Sequence, residues 1–192
     1  MNSKHASVRS FTLLFGVVVC LLMGEWSKAH PLPELPVWAF FEEDGTARFE
    51  IEVDPRCFIE DPESELYMLY WYLQRCDEKE KETMFEQARE FIPTRIDLVF
   101  DSPEGVEEPE FECRFTTLGG KPLKDLDDPV VIRATWETKL PSTVRTYQVK
   151  AREIGILSVL FLNHVNDRAV PRIQTLFPGE ESYVLDLAGE ES

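Results

Sequence analysis

Basic residues are scarce in this 192-residue chain: 20 Lys and Arg stand against 36 Asp and Glu, a net charge of −16. Three of the cations, Lys4, Arg9 and Lys28, lie with Glu25 in the first 29 residues, so the remainder carries −18. A nucleic-acid binder needs a basic face to displace counterions from phosphates, and that class is excluded. Adhesion to anionic lipid by charge is excluded on the same ground. Long apolar runs are also missing after Met23. The longest, residues 154–162, is interrupted by Gly155 and Ser158 and falls well short of the roughly 20 residues that span a bilayer. Cysteine is sparse, with no Cys-x-x-Cys and no Cys/His cluster, which leaves no zinc signature. G-x-S-x-G, H-E-x-x-H, Walker A and Rossmann patterns are absent.

What the chain does have is apolar mass. Hydrophobic residues are 43% of it, with 13 Phe, 5 Tyr and 4 Trp, enough to build a core rather than remain disordered. Residues 1–29 read as a secretory signal peptide. Lys4 and Arg9 form a basic start, residues 11–23 an apolar run, and Ser27-Lys28-Ala29 places small residues where a signal peptidase cuts. The expected organisation is a signal at 1–29 and a single secreted or periplasmic domain at 30–192, with no membrane span after cleavage. That domain holds Cys57, Cys76 and Cys113. One disulfide and one free thiol are compatible with an oxidising compartment, and the three pairings stay open. Cys113 is expected as a buried thiol on a strand.

Along residues 30–192 the dominant period is two. Strands are expected at 37–42 and 46–53, joined by the hairpin turn Asp44-Gly45. In the second, Ala47, Phe49, Ile51 and Val53 face inward and Arg48, Glu50 and Glu52 face water. Further strands are expected at 95–100, 111–115, 130–136, 144–149, 156–162, 172–177 and 183–187, the 156–162 segment being central. Between them one stretch follows the helical period. Asp61 and Pro62 suit an N-cap and first turn, and Leu66, Leu69, Tyr70 and Leu73 form a stripe. Residues 77–82 are charged with no stripe. Met84, Phe85, Ala88 and Phe91 restore one, ending before Pro93. The fold class is therefore mainly β: an antiparallel, Ig-like β-sandwich with a helical insertion at about 62–92.

Candidate chemistry is limited. Cleavage after Ala29 makes His30 the N-terminus, whose α-amine and imidazole, joined by the imidazole of His164, supply the three nitrogens of a copper(II) "histidine brace". Asp125, Asp127 and Asp128 offer oxygen ligands for calcium but no D-x-D-x-D-G loop; a solvated acidic face is the plainer reading, as it is for Glu107, Glu108, Glu180 and Glu181. Tyr67, Tyr70, Trp71 and Tyr72 could form a platform for sugar or peptide, but a helix packed on a sheet would use them as core. No catalytic residue and no resident cofactor are assigned.

Two stretches together resemble a known family. One is Ala29-His30-Pro31-Leu32, followed by a hairpin and Glu52-Val53-Asp54-Pro55. The other is Asn166-Asp167-Arg168, with Arg172 and Phe177-Pro178-Gly179 beyond it. They resemble the extracytoplasmic N-terminal domains of bacterial metal transporters of the HupE/UreJ-like kind, where the signal often ends in Ala-His and a β-rich domain precedes membrane helices. This sequence carries no such helices, so the resemblance implies a stand-alone relative of the receptor-like part and no transport. It brings no catalytic residues, and its association with metals lends weight to copper at His30. The functional expectation is an exported, non-enzymatic β-sandwich that binds an unidentified ligand or protein outside the cytoplasm. A copper-binding protein using His30 and His164 comes second, and a secreted hydrolase of unrecognised type third.

Overall fold

A computed structural model of the chain describes residues 33–59, 66–102 and 105–188. The signal segment, His30, the helix start at Asp61 and Pro62, and the tail at 189–192 lie outside the described residues. The elements are β1 (Leu35–Phe41), β2 (Thr46–Val53), a 3-10 turn (Pro55–Phe58), α1 (Tyr70–Leu73), α2 (Glu78–Arg95), β3 (Ile96–Phe100), β4 (Glu112–Thr116), β5 (Val131–Lys139), β6 (Thr146–Ala151), β7 (Val159–Val165), β8 (Arg168–Ala169), β9 (Gln174–Leu176) and β10 (Leu185–Asp186). The fold is mainly β. One sheet has the order β4-β5-β2-β1-β7-β8, with β9 also on β7; a smaller one has the order β10-β6-β3.

The first hairpin forms for local reasons. Gly45 takes a φ of 84° that a side chain would disfavour. Its N–H donates to the Glu42 carbonyl at 3.0 Å, and the Asp44 carboxylate accepts from the Thr46 N–H at 2.9 Å. That bond holds the Asp44 carboxyl below the ordinary carboxylate range. The turn sets the register Val37↔Ile51 and Ala39↔Phe49, and all of β2 pairs antiparallel with β5. Not every pairing is antiparallel. β1 and β7 run parallel from Leu35↔Val159 to Phe41↔Val165, so the large sheet is mixed.

The two sheets meet on aromatic rings. Tyr147 of β6 is fully buried, with ring centroids 5.1 Å from Phe41, 5.4 Å from Phe49, 5.3 Å from Phe100 and 5.6 Å from Phe161. Phe49 stacks on Trp136 at 5.0 Å. The inward residues of β2 are those that alternation picks out: Ala47, Phe49, Ile51 and Val53 are all fully buried.

Several local expectations are corrected. Glu50 and Glu52, expected on a wet face, are only 7% and 4% exposed, because Arg133 from the neighbouring strand lies against both. The helical stripe at 66–73 shrinks to the four residues of α1, and the N–H of Val130 donates to the Met68 carbonyl instead of leaving 66–69 to a helix. The charged stretch without a stripe is the first turn of α2, fixed by a capping box in which Asp77 Oδ1 accepts from Glu80 N at 2.8 Å and Glu80 Oε2 from Asp77 N at 2.7 Å. Pro93 does not end the helix, which runs to Arg95 and passes directly into β3. A proline in the last turn loses one helical hydrogen bond without blocking the chain that follows. Strand β7 starts at Val159, leaving Ile154 and Ile156 more than half exposed in the preceding loop, where Gly155 turns at a φ of 88°. The segment Asn166-Asp167 is a two-residue hairpin turn with φ of 51° and 61°, the conformation that Asn and Asp tolerate best after Gly.

Candidate functional site

His164 lies on β7, opposite Phe40 of β1, with its ring stacked at 4.7 Å and 16°. Its Nδ1 is buried without a partner among the described residues. The described residues hold no group of three His, Cys, Asp or Glu side chains arranged for a metal ion. Cys57, Cys76 and Cys113 are all free thiols, and Cys113 is a half-buried strand residue on β4. Burial, helped by the Asp54 charge, pushes the Cys57 thiol up to about 12. It is therefore protonated at neutral pH and a poor nucleophile. Burial raises Cys76 and Cys113 as well. Asp128 closes its own turn: Oδ2 accepts from the N–H of Lys124 at 2.8 Å and of Asp125 at 2.9 Å, which holds its carboxyl low. The expected aromatic core at 67–72 is corrected. Trp71 and Tyr72 are 40% and 49% exposed and meet edge to face, because α1 is too short to lay a stripe on a sheet. Tyr67 instead covers the guanidinium of Arg56, 3.9 Å away, which is bound through two nitrogens to Asp54 Oδ2 at 2.7 and 3.0 Å.

On the outer face of the large sheet, charges and rings alternate. His164 stacks on Phe40, and the Arg48 guanidinium lies 4.0 Å from the Phe40 centroid. Arg48 pairs with Glu50, Glu50 with Arg133, and Arg133 with Glu52. The Arg133 guanidinium sits 4.8 Å from the Trp38 centroid. Gly120, at a φ of 78°, passes over it so closely that any Cβ would collide with the guanidinium. Arg133 and both glutamates are buried within this ladder, while Arg48 at its end stays partly exposed.

The open feature lies on the other flank. β3 is the edge of the small sheet and β4 the edge of the large one. α2 packs against β3, β4 and β5, and residues 105–111 lead into β4. Between them is a cleft of about 990 Å³. Every residue of β3 lines it. Its apolar lining includes Ile92, Leu98, Phe100, Phe111 and Trp136. Glu107, Glu108, Glu110 and Glu112 form one rim and continue into an adjoining 700 Å³ hollow with Thr135, Trp136 and Glu137. All four rim glutamates are exposed. The two arginines at the cleft are engaged. Arg152 bonds Asp97 Oδ1 at 2.5 Å, and Arg89 reaches Glu82 at 2.9 Å and the Phe111 carbonyl at 3.1 Å. β5 outruns β4, since Glu112, the first residue of β4, pairs with Thr135. Residues 136–139 therefore have no described strand beside them on that side.

Neither the ladder nor the cleft stands out from sequence alone. Arg133 is one arginine in an apolar strand, and the rim glutamates belong to an acidic run that composition assigns to solvent. The one signal for the cleft is Phe111, an aromatic directly after that run. No protein-family model matches the chain, and no curated protein is detectably similar to it.

Proposed function

We propose that this chain is an exported, non-enzymatic binding module that takes a partner outside the cytoplasm in the cleft between β3 and β4. The observation that carries the reading is the cleft itself. It combines about 990 Å³ of space, an apolar floor and a backbone edge, the attributes of a binding surface. Its arginines are spent on positioning neighbouring groups, and its rim carboxylates lie exposed around it. Export rests on the signal-like pattern at 1–29. Two measurements test the reading. The intact mass of protein recovered outside the cytoplasm should lack residues 1–29. Nile red, a neutral apolar dye, should bind the processed protein and shift amide resonances of 96–100, 106 and 111. A retained leader would defeat export, and dye shifts elsewhere would defeat the cleft.

Copper is a second reading, favoured by the Nδ1 of His164, which has no partner among the described residues. Copper(II) titration of the processed protein, with electron paramagnetic resonance, decides it: His164→Ala must abolish a three-nitrogen signal. Equal affinity in both proteins would remove the brace.

A further inference from the structure

The cleft has a feature that a small-molecule pocket does not need. Its long wall is a strand edge that no other described strand pairs, with all five residues of β3 lining it and only the Ile96 N–H already engaged, by the Ile92 carbonyl. A free edge presents a row of N–H and C=O groups at strand spacing, which another extended chain can match. Exposed edges are usually blunted by proline, lysine or a covering element. β3 contains neither proline nor lysine, and its one charged side chain, Asp97, is paired with Arg152. Its outward Val99 is 40% exposed, and the cleft keeps the neighbouring volume clear. At about 3.3 Å per residue the edge runs roughly 17 Å.

Charge selects the occupant. Glu107, Glu108, Glu110 and Glu112 are spaced along the opposite rim, and Glu137 stands beyond them. None of the five makes an ion pair with another described residue, whereas Asp97 and Glu82 nearby are each paired with an arginine. A second copy of this chain would bring its own acidic rim and a net of −18 after residue 29, so like charges oppose edge-to-edge self-pairing. A chain bearing Lys or Arg gains at each rim carboxylate.

We propose that an extended, basic polypeptide segment adds to the free edge of β3 as a fourth strand of the small sheet. Its apolar side chains lie on Leu98, Phe100, Phe111 and Trp136, and its basic ones on the glutamate rim. This rests on the cleft being the binding site and deepens that reading by naming the partner's chemistry.

The probe is a ten-residue peptide of alternating Val and Lys, compared with its Val/Glu counterpart and with a copy N-methylated at every second residue. Titrations use the processed chain and amide hydrogen exchange. The Val/Lys peptide should bind at least tenfold more tightly than either comparison peptide and slow exchange within 96–100. Raising salt from 0.05 to 0.5 M should weaken it. Replacing the four rim glutamates with Gln should lower affinity about tenfold and flatten the salt response. Val99→Arg, at an exposed site, should weaken binding with the fold intact. Equal binding of the N-methylated copy would overturn strand addition, and equal binding of the Val/Glu peptide would overturn the basic partner. Concentration-dependent dimers protected at 96–100 would show that a second copy is the occupant and overturn the proposal. If Nile red still maps to the cleft while the Val/Lys peptide fails, only this inference falls. If neither maps there, the cleft reading falls with it.

Discussion

At the scale of single residues, the buried ions of the outer face show what alternation hides. Alternation separates Glu50 and Glu52 correctly from Phe49 and Ile51, but it equates the second face with water. Arg133, from β5, makes that face dry by pairing with both carboxylates. A buried pair is costly chiefly when it is broken, since the remaining charge is stranded. Arg133→Ala is therefore expected to destabilise the protein by about 3–5 kcal/mol, read from urea unfolding. A triple variant, Glu50→Leu with Glu52→Val and Arg133→Met, should recover most of the loss, because well-packed apolar replacement is often neutral or better. Loss of stability in the triple variant matching Arg133→Ala would show that packing, not stranded charge, sets the cost.

Tyr147 poses the converse question. Its ring fills the centre of the core, while its hydroxyl is buried without a partner among the described residues. Tyr147→Phe should leave stability unchanged or raise it by up to about 1 kcal/mol, because the lost group was unsatisfied. Burial also raises the phenol well above its usual range. Below about pH 10 both folded and unfolded states hold the proton, and Tyr147 adds no pH dependence. Above it the unfolded chain ionises and the folded one does not, so stability falls as pH rises. Thermal melts between pH 8.5 and 11 should show a steeper decline in the wild type than in Tyr147→Phe; parallel declines would contradict the assignment.

At the scale of elements, legibility followed the reach of the forces involved. Strands set by their own alternation, such as β2 and β3, were readable to within a residue or two. The hairpin at Asp44-Gly45 was readable because its chemistry lies within five residues. The parallel pairing of β1 with β7 was not, since it joins segments more than a hundred residues apart through a shared core. Helix α2 was half legible. Its apolar contacts, Ala88 and Phe91 among them, announce a helix, but its charged first turn is defined by a cap rather than a stripe. Asp77→Ala removes one half of the reciprocal cap and should cost roughly 1 kcal/mol. The change should also speed amide exchange in 78–82 ahead of the rest of α2. Uniform exchange along the helix would mean that packing on β3 to β5, and not the cap, holds its start.

At the scale of the whole molecule, the candidate site arises from what the elements leave unfilled. Two sheets of unequal size share one core, and α2 covers only part of the flank where β3 and β4 end them. A gap of this kind has no residue pattern of its own, which is why the composition of 107–112 reads as solvent-facing acid. The cleft persists only if both sheets stay locked as one unit, and Phe49 is where that locking concentrates. It belongs to the large sheet, yet its ring meets Tyr147 of the small sheet at 5.4 Å, Phe100 of β3 at 5.9 Å and Trp136, which lines the cleft, at 5.0 Å. Phe49→Asp would place a charge with no partner among these rings. The cost of such burial is several kcal/mol, comparable with the roughly 5–15 kcal/mol that holds a domain together. The variant is expected to be unfolded at 25 °C by far-UV circular dichroism. Phe49→Leu, which keeps an apolar side chain, should remain folded with a lower melting temperature. In the wild type, tryptophan fluorescence and circular dichroism should report a single coincident transition. Two separated transitions, or a folded Phe49→Asp protein, would mean that the sheets are stable independently and that the cleft's walls are not held in place by the shared aromatic core.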